Sequence, residues 1–211
     1  MLNTSELRWL IRGSVPDEFS GWFSAGRPPA LELREDHEYL LFPGCDSVGV
    51  KARGGKFEIK ARAGSSRVLP LPFGIGGRSE DWVKWTLSAE ELPQFDRVLH
   101  KSGEWMRVAK DRLLYRFAGQ GDGSFEISAG ENGPPPSGYS VELTEIEVER
   151  EPRSWFTFGL EAFGPRPDTP EILRKGVHDF FGKHGCPPGK TLTRKNSLGY
   201  PAWLMMNYSN R

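Results

Sequence analysis

Apolar and charged residues alternate with a period of two through the segment GVKARGGKFEIKAR, residues 49–62. Gly54 and Gly55 separate two alternating runs, and a glycine pair in that position indicates a tight β-hairpin turn. Pairing outward from the turn sets Lys51 opposite Glu58. One face of the predicted hairpin is apolar and contains Val48, Val50, Ala52, Phe57, Ile59 and Ala61. The other face is charged and contains Lys51, Arg53, Lys56, Glu58, Lys60 and Arg62.

Strand-like runs recur along most of the chain. Besides the hairpin they are ELRWLIRG (6–13), EYLLF (38–42), DWVKWTL (81–87), WMRVAKDRLLYRFAG (105–119), YSVELTEIEVE (139–149) and SWFTFGLEAFG (154–164). A short helix is predicted from a capping box that begins at Ser88, and a second from Asp168 or Thr169 with Pro170 in its first turn. The Gly/Pro-rich segment LPLPFGIGGRS (69–79) is predicted to be a loop. The pattern favours an α+β protein that is mainly antiparallel β, in one domain over residues 1–211.

The other strands repeat the division into faces. Glu6 and Arg8 share a face of the first strand, and a basic row of Lys110, Arg112 and Arg116 follows the strand 105–119. Two architectures fit this alternation. In a β-sandwich the charged faces are solvated, whereas in a closed barrel with helices packed outside, the charges point inward to a lumen.

Composition limits the partners of the chain. Its 211 residues contain 28 Lys and Arg and 28 Asp and Glu, so the formal net charge is zero. No global positive field attracts nucleic acid or an anionic membrane. The first residues, MLNTSELRWLIRG, contain no apolar signal core, and Cys45 and Cys186 are far apart without metal-ligand spacing. We therefore expect a cytoplasmic protein with reduced thiols. The oligomeric state is left open by the sequence.

An enclosed cluster of lysines and arginines would be costly to desolvate unless carboxylates or a bound anion compensated it. A charged lumen is therefore a candidate site. A triphosphate presents several negative charges along a linear chain and suits converging Arg and Lys donors. Carboxylates in the same cavity would hold Mg²⁺ or Mn²⁺ against the phosphate oxygens.

The order of these segments resembles the CYTH superfamily, the triphosphate tunnel metalloenzymes. The matching stretches are ELRWLIRG, DHEYLLF, GVKAR, FEIKAR, AEELPQF, RVAKDR, VELTEIEVE, FGLEAFG, the Pro170 helix and NSLGYPAWL. The resemblance covers nearly the whole chain and depends on the order of the motifs, because each motif alone is weak. It implies a closed or nearly closed eight-stranded barrel with a few packing helices.

The resemblance also implies site residues. The strand-borne basic residues implied to bind triphosphate are Lys51, Arg53, Lys60, Arg62, Lys110 and Arg112, to which Arg8 adds a donor. The implied metal ligands are Glu6 and Glu161, with Glu142 or Glu145 possible in addition. Glu58 is expected to pair with Lys51 across the hairpin, and Lys84 is left open between a solvent contact and a ligand.

The chain departs from the family pattern at the metal ligands. Arg8 stands where the family has a second glutamate, Leu10 replaces its basic residue, and the late strand supplies Glu161 alone. Three functions stay open: a metal-dependent triphosphatase or related enzyme, a non-catalytic module that binds a phosphorylated metabolite or other polyanion, and a β-sandwich interaction protein. The incomplete acid set favours the second over the first, and the segment order disfavours the third.

Overall fold

A computed structural model describes residues 1–28, 31–88, 90, 104–119, 125–127, 135–149, 151 and 154–208. The strands are β1 (Leu2–Arg12), β2 (Leu31–Leu40), β3 (Val48–Arg53), β4 (Lys56–Arg62), β5 (Arg67–Pro70), β6 (Gly76–Ser88), β7 (Trp105–Ala118), β8 (Phe125–Glu126), β9 (Gly138–Val148) and β10 (Trp155–Gly164). The helices are α1 (Asp17–Ser24), α2 (Thr169–His184) and α3 (Tyr200–Tyr208), with a 3-10 turn at Pro72–Gly74. None of the helices in this described part is long and apolar enough to cross a membrane.

Eight strands close into an antiparallel barrel in the order β1-β10-β9-β7-β2-β3-β4-β6. Closure occurs at β1, which pairs with β10 along one edge and with β6 along the other. Glu6 is consequently opposite Glu161 on one side and Glu80 on the other. The short strands β5 and β8 add to β6 and β7. The expected closed barrel of α+β class is confirmed.

The outer surface of β1, β9 and β10 carries an apolar core under two helices. Trp9 and Phe158 are completely buried there, and their rings stack at a centroid distance of 5.7 Å. The helical aromatic residues that pack against this surface are Phe19, Trp22 and Phe23 of α1 and Phe180 and Phe181 of α2. Because alternate residues of a strand face opposite sides, this outward apolar row directs Arg8 and Glu161 inward.

Helix α3 covers the end of the barrel where β1 ends and β10 begins. Tyr200 stacks on Tyr39 at 5.6 Å, and Trp203 contacts Trp155 edge to face at the same centroid distance. The helix enters close to the wall, because a Cβ atom at Gly199 would lie 2.6 Å from Oε2 of Glu80. A side chain at position 199 would therefore require the Glu80 carboxylate to shift.

The predicted hairpin has the expected register, with Lys51 opposite Glu58 and Val50 opposite Ile59. Helix α2 begins at Thr169 with Pro170 in its first turn, as predicted, and its C-cap is Gly185 at φ 70°. The segment 69–79, predicted to be a loop, instead contains the end of β5 and the start of β6, because these two strands pair with each other there, Leu69 opposite Gly77 and Pro70 opposite Gly76. The helix predicted from Ser88 lies for the most part outside the described residues.

Candidate functional site

The inner face of the barrel is highly charged. Cross-strand partners share a face, so the registers around the barrel identify the inward side chains. Among the described residues, the basic side chains of this face that are not exposed are Arg8, Lys51, Arg53, Lys60, Arg62, Lys84, Lys110 and Arg112, whereas Lys56 and Arg116 of the same rows are exposed. The six acidic ones are Glu6, Glu35, Glu58, Glu80, Glu142 and Glu161. All seven basic residues predicted from the sequence thus face one lumen, and cations outnumber carboxylates.

One ion-pair cluster joins β10, β1, β4 and β6. The ammonium of Lys84 lies 2.8 Å from Oε1 of Glu6 and 2.5 Å from Oε1 of Glu161, and that of Lys60 lies 3.3 Å from Oε2 of Glu6. Burial alone would raise the pKa of Glu6, but Lys60, Lys84 and Arg8 hold it well below its usual range. Burial would lower the pKa of Lys84, but Glu161 and Glu6 raise it. We call this group the Glu6 cluster.

A second ion-pair chain runs around the lumen from Arg8 of β1 to Glu58 of β4 by way of β9, β7, β2 and β3. Glu142 accepts a hydrogen bond from Arg8 and is 3.3 Å from Nε of Arg112. Arg112 also pairs with Glu35, with a distance of 3.1 Å from its guanidinium to the carboxylate, and Glu35 accepts a hydrogen bond from Arg53 at 2.7 Å. Glu58 completes the chain with Arg53 at 3.0 Å and Lys51 at 2.9 Å, which confirms the cross-hairpin pair. Each of these carboxylates holds two cations in place.

Arg62 and Glu80 form a smaller group beside α3. Arg62 is 3.1 Å from Glu80 and 2.9 Å from Asp46 in the loop before β3. Burial raises the pKa of Glu80 although Lys60 and Arg62 oppose the shift. This group ties the end of β4 to the end of the barrel under α3.

Lys110 differs from the other inward cations, because no carboxylate of the described residues is bonded to it. The side chain is 2% exposed, donates to the hydroxyl of Tyr39 at 2.7 Å and lies 3.6 Å from the ring centre of Tyr200. Burial lowers the pKa of Lys110 well below its usual range, and the nearby charges of Arg112 and Lys51 add to the effect. The lumen thus ends, under α3, at a lysine without a counter-ion.

Replacing Lys110 by Met is expected to stabilise the protein at neutral pH. The lowered pKa in the fold lies below the value of about 10.4 in the unfolded chain. Between those two values the unfolded chain binds more protons, so stability rises with pH in that window. Lys110→Met should therefore unfold at higher urea concentration at pH 7 and show a shallower rise in stability from pH 7 to pH 10.

Lys190→Met, at an exposed lysine, is the matched control and should leave both quantities unchanged. Equal pH dependence in wild type and Lys110→Met would show that Lys110 titrates alike in the folded and unfolded chains. Lys51 is a second contributor to the wild-type slope, because burial lowers its pKa to about 8 although Glu58 opposes the shift.

The four predicted metal ligands do not come together. Glu6 and Glu161 are neighbours with Lys84 between them, whereas Glu142 is held by Arg8 and Arg112. The prediction that Glu145 is a possible metal ligand in the lumen is corrected by its position. Glu145 lies three residues after Glu142 in a strand, so its side chain points to the outer surface, where it accepts a hydrogen bond from the backbone N–H of Val15. Within the described residues, no group of three or more His, Cys, Asp or Glu is arranged to hold a metal ion. The residues as placed do not fit a divalent cation.

A cavity of about 560 Å³ lies outside the lumen. It opens between the start of α1 and the outer face of β2, β7 and β9, with Asp17, Arg34, Asp111, Leu143 and Glu145 in its lining. Two of its polar contacts are internal: Arg34 pairs with Asp111 at 3.2 Å, and Glu145 accepts from the backbone N–H of Val15.

Several lumen residues were missed in the sequence. Glu35 shares an inward row with His37 and Tyr39, and this alternation was available in the segment LREDHEYL. Lys84 was left open between a solvent contact and a ligand, and the structure places it in the lumen. Tyr200 lies in the matching stretch NSLGYPAWL, but no role was predicted for it, since its place in the lumen depends on how α3 packs against the barrel end.

Comparison with known proteins gives no family assignment. No protein-family model matches the chain, and no curated protein sequence matches it significantly. Similar solved structures include PH1819 from Pyrococcus horikoshii OT3 (14% identity, 94% of this chain and 98% of that chain, TM-score 0.44). Another is the S. pombe Pct1 RNA triphosphatase (12% identity, 86% of this chain and 82% of that chain, TM-score 0.41). A third is HpAC1 from Hippeastrum, for which a dominant triphosphatase activity is described (13% identity, 85% of this chain and 88% of that chain, TM-score 0.37). These low identities and TM-scores carry no argument about function.

Proposed function

We propose that the barrel binds a compound that carries a chain of phosphate groups, such as inorganic triphosphate or a nucleoside or other organic triphosphate. The observation that carries this proposal is the excess of converging basic side chains in the lumen, including Lys110, which is buried and bonded to no carboxylate in the part of the chain that the structure describes. A buried cation without a counter-ion is unfavourable, so an anion that reaches it gains more than it would at a surface lysine.

The cations are graded in depth, which supports a linear ligand. Arg53 and Lys51 are 34% and 23% exposed, Arg112 is 14% exposed, and Arg8 is 6% exposed. A chain of phosphates entering opposite α3 would meet the exposed pair first and Arg8 and Lys110 last. Guanidinium groups bind phosphate oxygens in pairs, so phosphates can replace Glu35 and Glu142 as partners of these arginines.

Inorganic triphosphate is expected to raise the melting temperature more than pyrophosphate, and pyrophosphate more than orthophosphate. A free triphosphate concentration of about 100 times Kd would add about 2.7 kcal/mol to the free energy of unfolding. Raising the salt concentration should weaken binding, because the contacts are ionic. Thermal melts and titration calorimetry in low and high salt measure both effects.

Arg53→Met tests the lumen directly, because Arg53 is partly exposed and its loss leaves Glu58 paired with Lys51. We expect roughly tenfold or greater weakening of triphosphate binding from one lost charged hydrogen bond. Arg174→Met, on the outer surface of α2, is the control and should bind as wild type. Equal affinities in all three proteins would place the binding elsewhere.

Hydrolysis stays a prediction of the resemblance to the CYTH superfamily. Release of orthophosphate from triphosphate with Mg²⁺ or Mn²⁺ measures it in the same samples. Binding without release would identify a non-catalytic module for a phosphorylated metabolite.

A further inference from the structure

Lys84 occupies the position between two carboxylates that a cation would take. Glu6 and Glu161 are directly opposite each other on β1 and β10, and Lys84 reaches both from β6 on the other side of β1. Its ammonium is 2.8 Å from one carboxylate and 2.5 Å from the other. Glu6 is 4% exposed and Lys84 is 20% exposed, so this contact lies inside the barrel wall and not at its surface.

A divalent ion would need the same oxygen atoms. Mg²⁺ and Ca²⁺ bind carboxylate oxygens at roughly 2.0 to 2.6 Å, which places such an ion where the Lys84 ammonium lies. Displaced from Glu6 and Glu161, Lys84 would be a buried cation beside Lys60 and the incoming metal, with strong mutual repulsion. Glu80, the third carboxylate of this row, is already paired with Arg62, so it does not compensate the charge of a displaced Lys84.

The Lys84 ammonium also retains capacity for a ligand. An ammonium group has three N–H donors, and the two carboxylates use two of them. One donor remains, and Lys60 lies on the other side of Glu6 with its own ammonium 3.3 Å from that carboxylate. The two ammonium groups and two carboxylates of the Glu6 cluster balance in charge. What the cluster offers an anion is therefore the remaining donor of Lys84, together with the nearby charge of Arg8.

We infer that Lys84 is the resident cation of the Glu6 cluster: it takes the place of a divalent metal ion, so that anions bind in this lumen without one. The anion part of this inference rests on the proposed function. The statement about the metal does not, and it competes with the expectation of Mg²⁺ or Mn²⁺ that the resemblance implies.

Removing Lys84 should create a metal site. Wild type should show no saturable binding of Mn²⁺ up to millimolar concentration by electron paramagnetic resonance of the free ion. Lys84→Met should bind Mn²⁺, because Glu6 and Glu161 are then left with Lys60 alone. Lys84→Met/Glu161→Gln should lose that binding again, and Lys190→Met should behave as wild type.

Melting temperatures keep the test decisive if Lys84→Met is unstable. Two carboxylates without their shared cation destabilise the fold, so Mn²⁺ should raise the melting temperature of Lys84→Met and leave that of wild type unchanged. Saturable binding of Mn²⁺ to wild type that Glu6→Gln abolishes would overturn the inference. Failure of Mn²⁺ to bind or stabilise Lys84→Met would overturn it as well.

The anion part is tested by calorimetry of wild type with inorganic triphosphate, once with EDTA and once with excess Mg²⁺. We expect binding in EDTA, weakened at least tenfold by Lys84→Met. Binding of triphosphate with Mg²⁺ but not with EDTA would overturn the inference and leave the proposed function standing. No binding in either condition would overturn the proposed function, while the Mn²⁺ measurements would still decide the role of Lys84.

Discussion

Arg8→Met is expected to lower the free energy of unfolding by about 3 kcal/mol or more, the cost of breaking a buried ion pair from one side. Arg8 is 6% exposed, donates to Glu142 and also donates to the hydroxyl of Thr157 at 3.1 Å. Its removal leaves the buried Glu142 with Arg112 alone. Urea unfolding at neutral pH measures the loss, and triphosphate binding should weaken in the same variant.

Two controls separate a buried-charge effect from general damage. Arg8→Met/Glu142→Gln should recover part of the stability, because the double variant contains no carboxylate that lacks its partner. Arg174→Met breaks a pair with Glu171 in which both side chains are about two-thirds exposed, and it should cost less than about 1 kcal/mol. A double variant less stable than Arg8→Met would contradict this account of the pair.

Phe158→Ala is expected to lower the free energy of unfolding by about 3–5 kcal/mol through the cavity that it leaves. Phe158 is fully buried at the centre of the outer core, with the rings of Trp22 at 5.3 Å and Phe180 at 5.6 Å. Thermal or urea unfolding measures the loss. Because its side chain points away from the lumen, the fraction that remains folded should still bind triphosphate.

Phe73→Ala is the matched control, because Phe73 is 56% exposed. It should change stability by less than about 1 kcal/mol. A comparable loss in both variants would mean that Phe158 has no special place in the core.

The hairpin of residues 49–62 shows which structural features a local sequence pattern can predict. Its turn, its register and the division of its faces were predicted from residues 49–62 and are confirmed. Phe158 lies on the face opposite to that of Glu161 and packs under α1 and α2. Strand alternation is a local property of the backbone, so a single sequence suffices for it. The same rule applied to Glu142 and Glu145 would have excluded Glu145 from the lumen, since an odd separation reverses the face.

Apart from the Lys51–Glu58 pair, the partners inside the lumen could not be predicted. Lys60, Lys84 and Lys110 come from three strands and look alike in the sequence, yet the first two are bonded to carboxylates and Lys110 is bonded to a phenol. Which carboxylate each lysine meets depends on the stagger of strands that are far apart in the chain. Periodicity within one strand contains no information on that stagger.

The sequence by itself determined which side chains share a face, because successive side chains of a strand point to opposite faces whatever surrounds the strand. It therefore determined the basic rows of β3, β4 and β7 and the apolar row of β10. Only the tertiary structure decided that these rows enclose a lumen, since closure requires β1 to pair with both β6 and β10. Closure also placed Lys84 between Glu6 and Glu161 and α3 over Lys110, because such contacts depend on distances between remote segments.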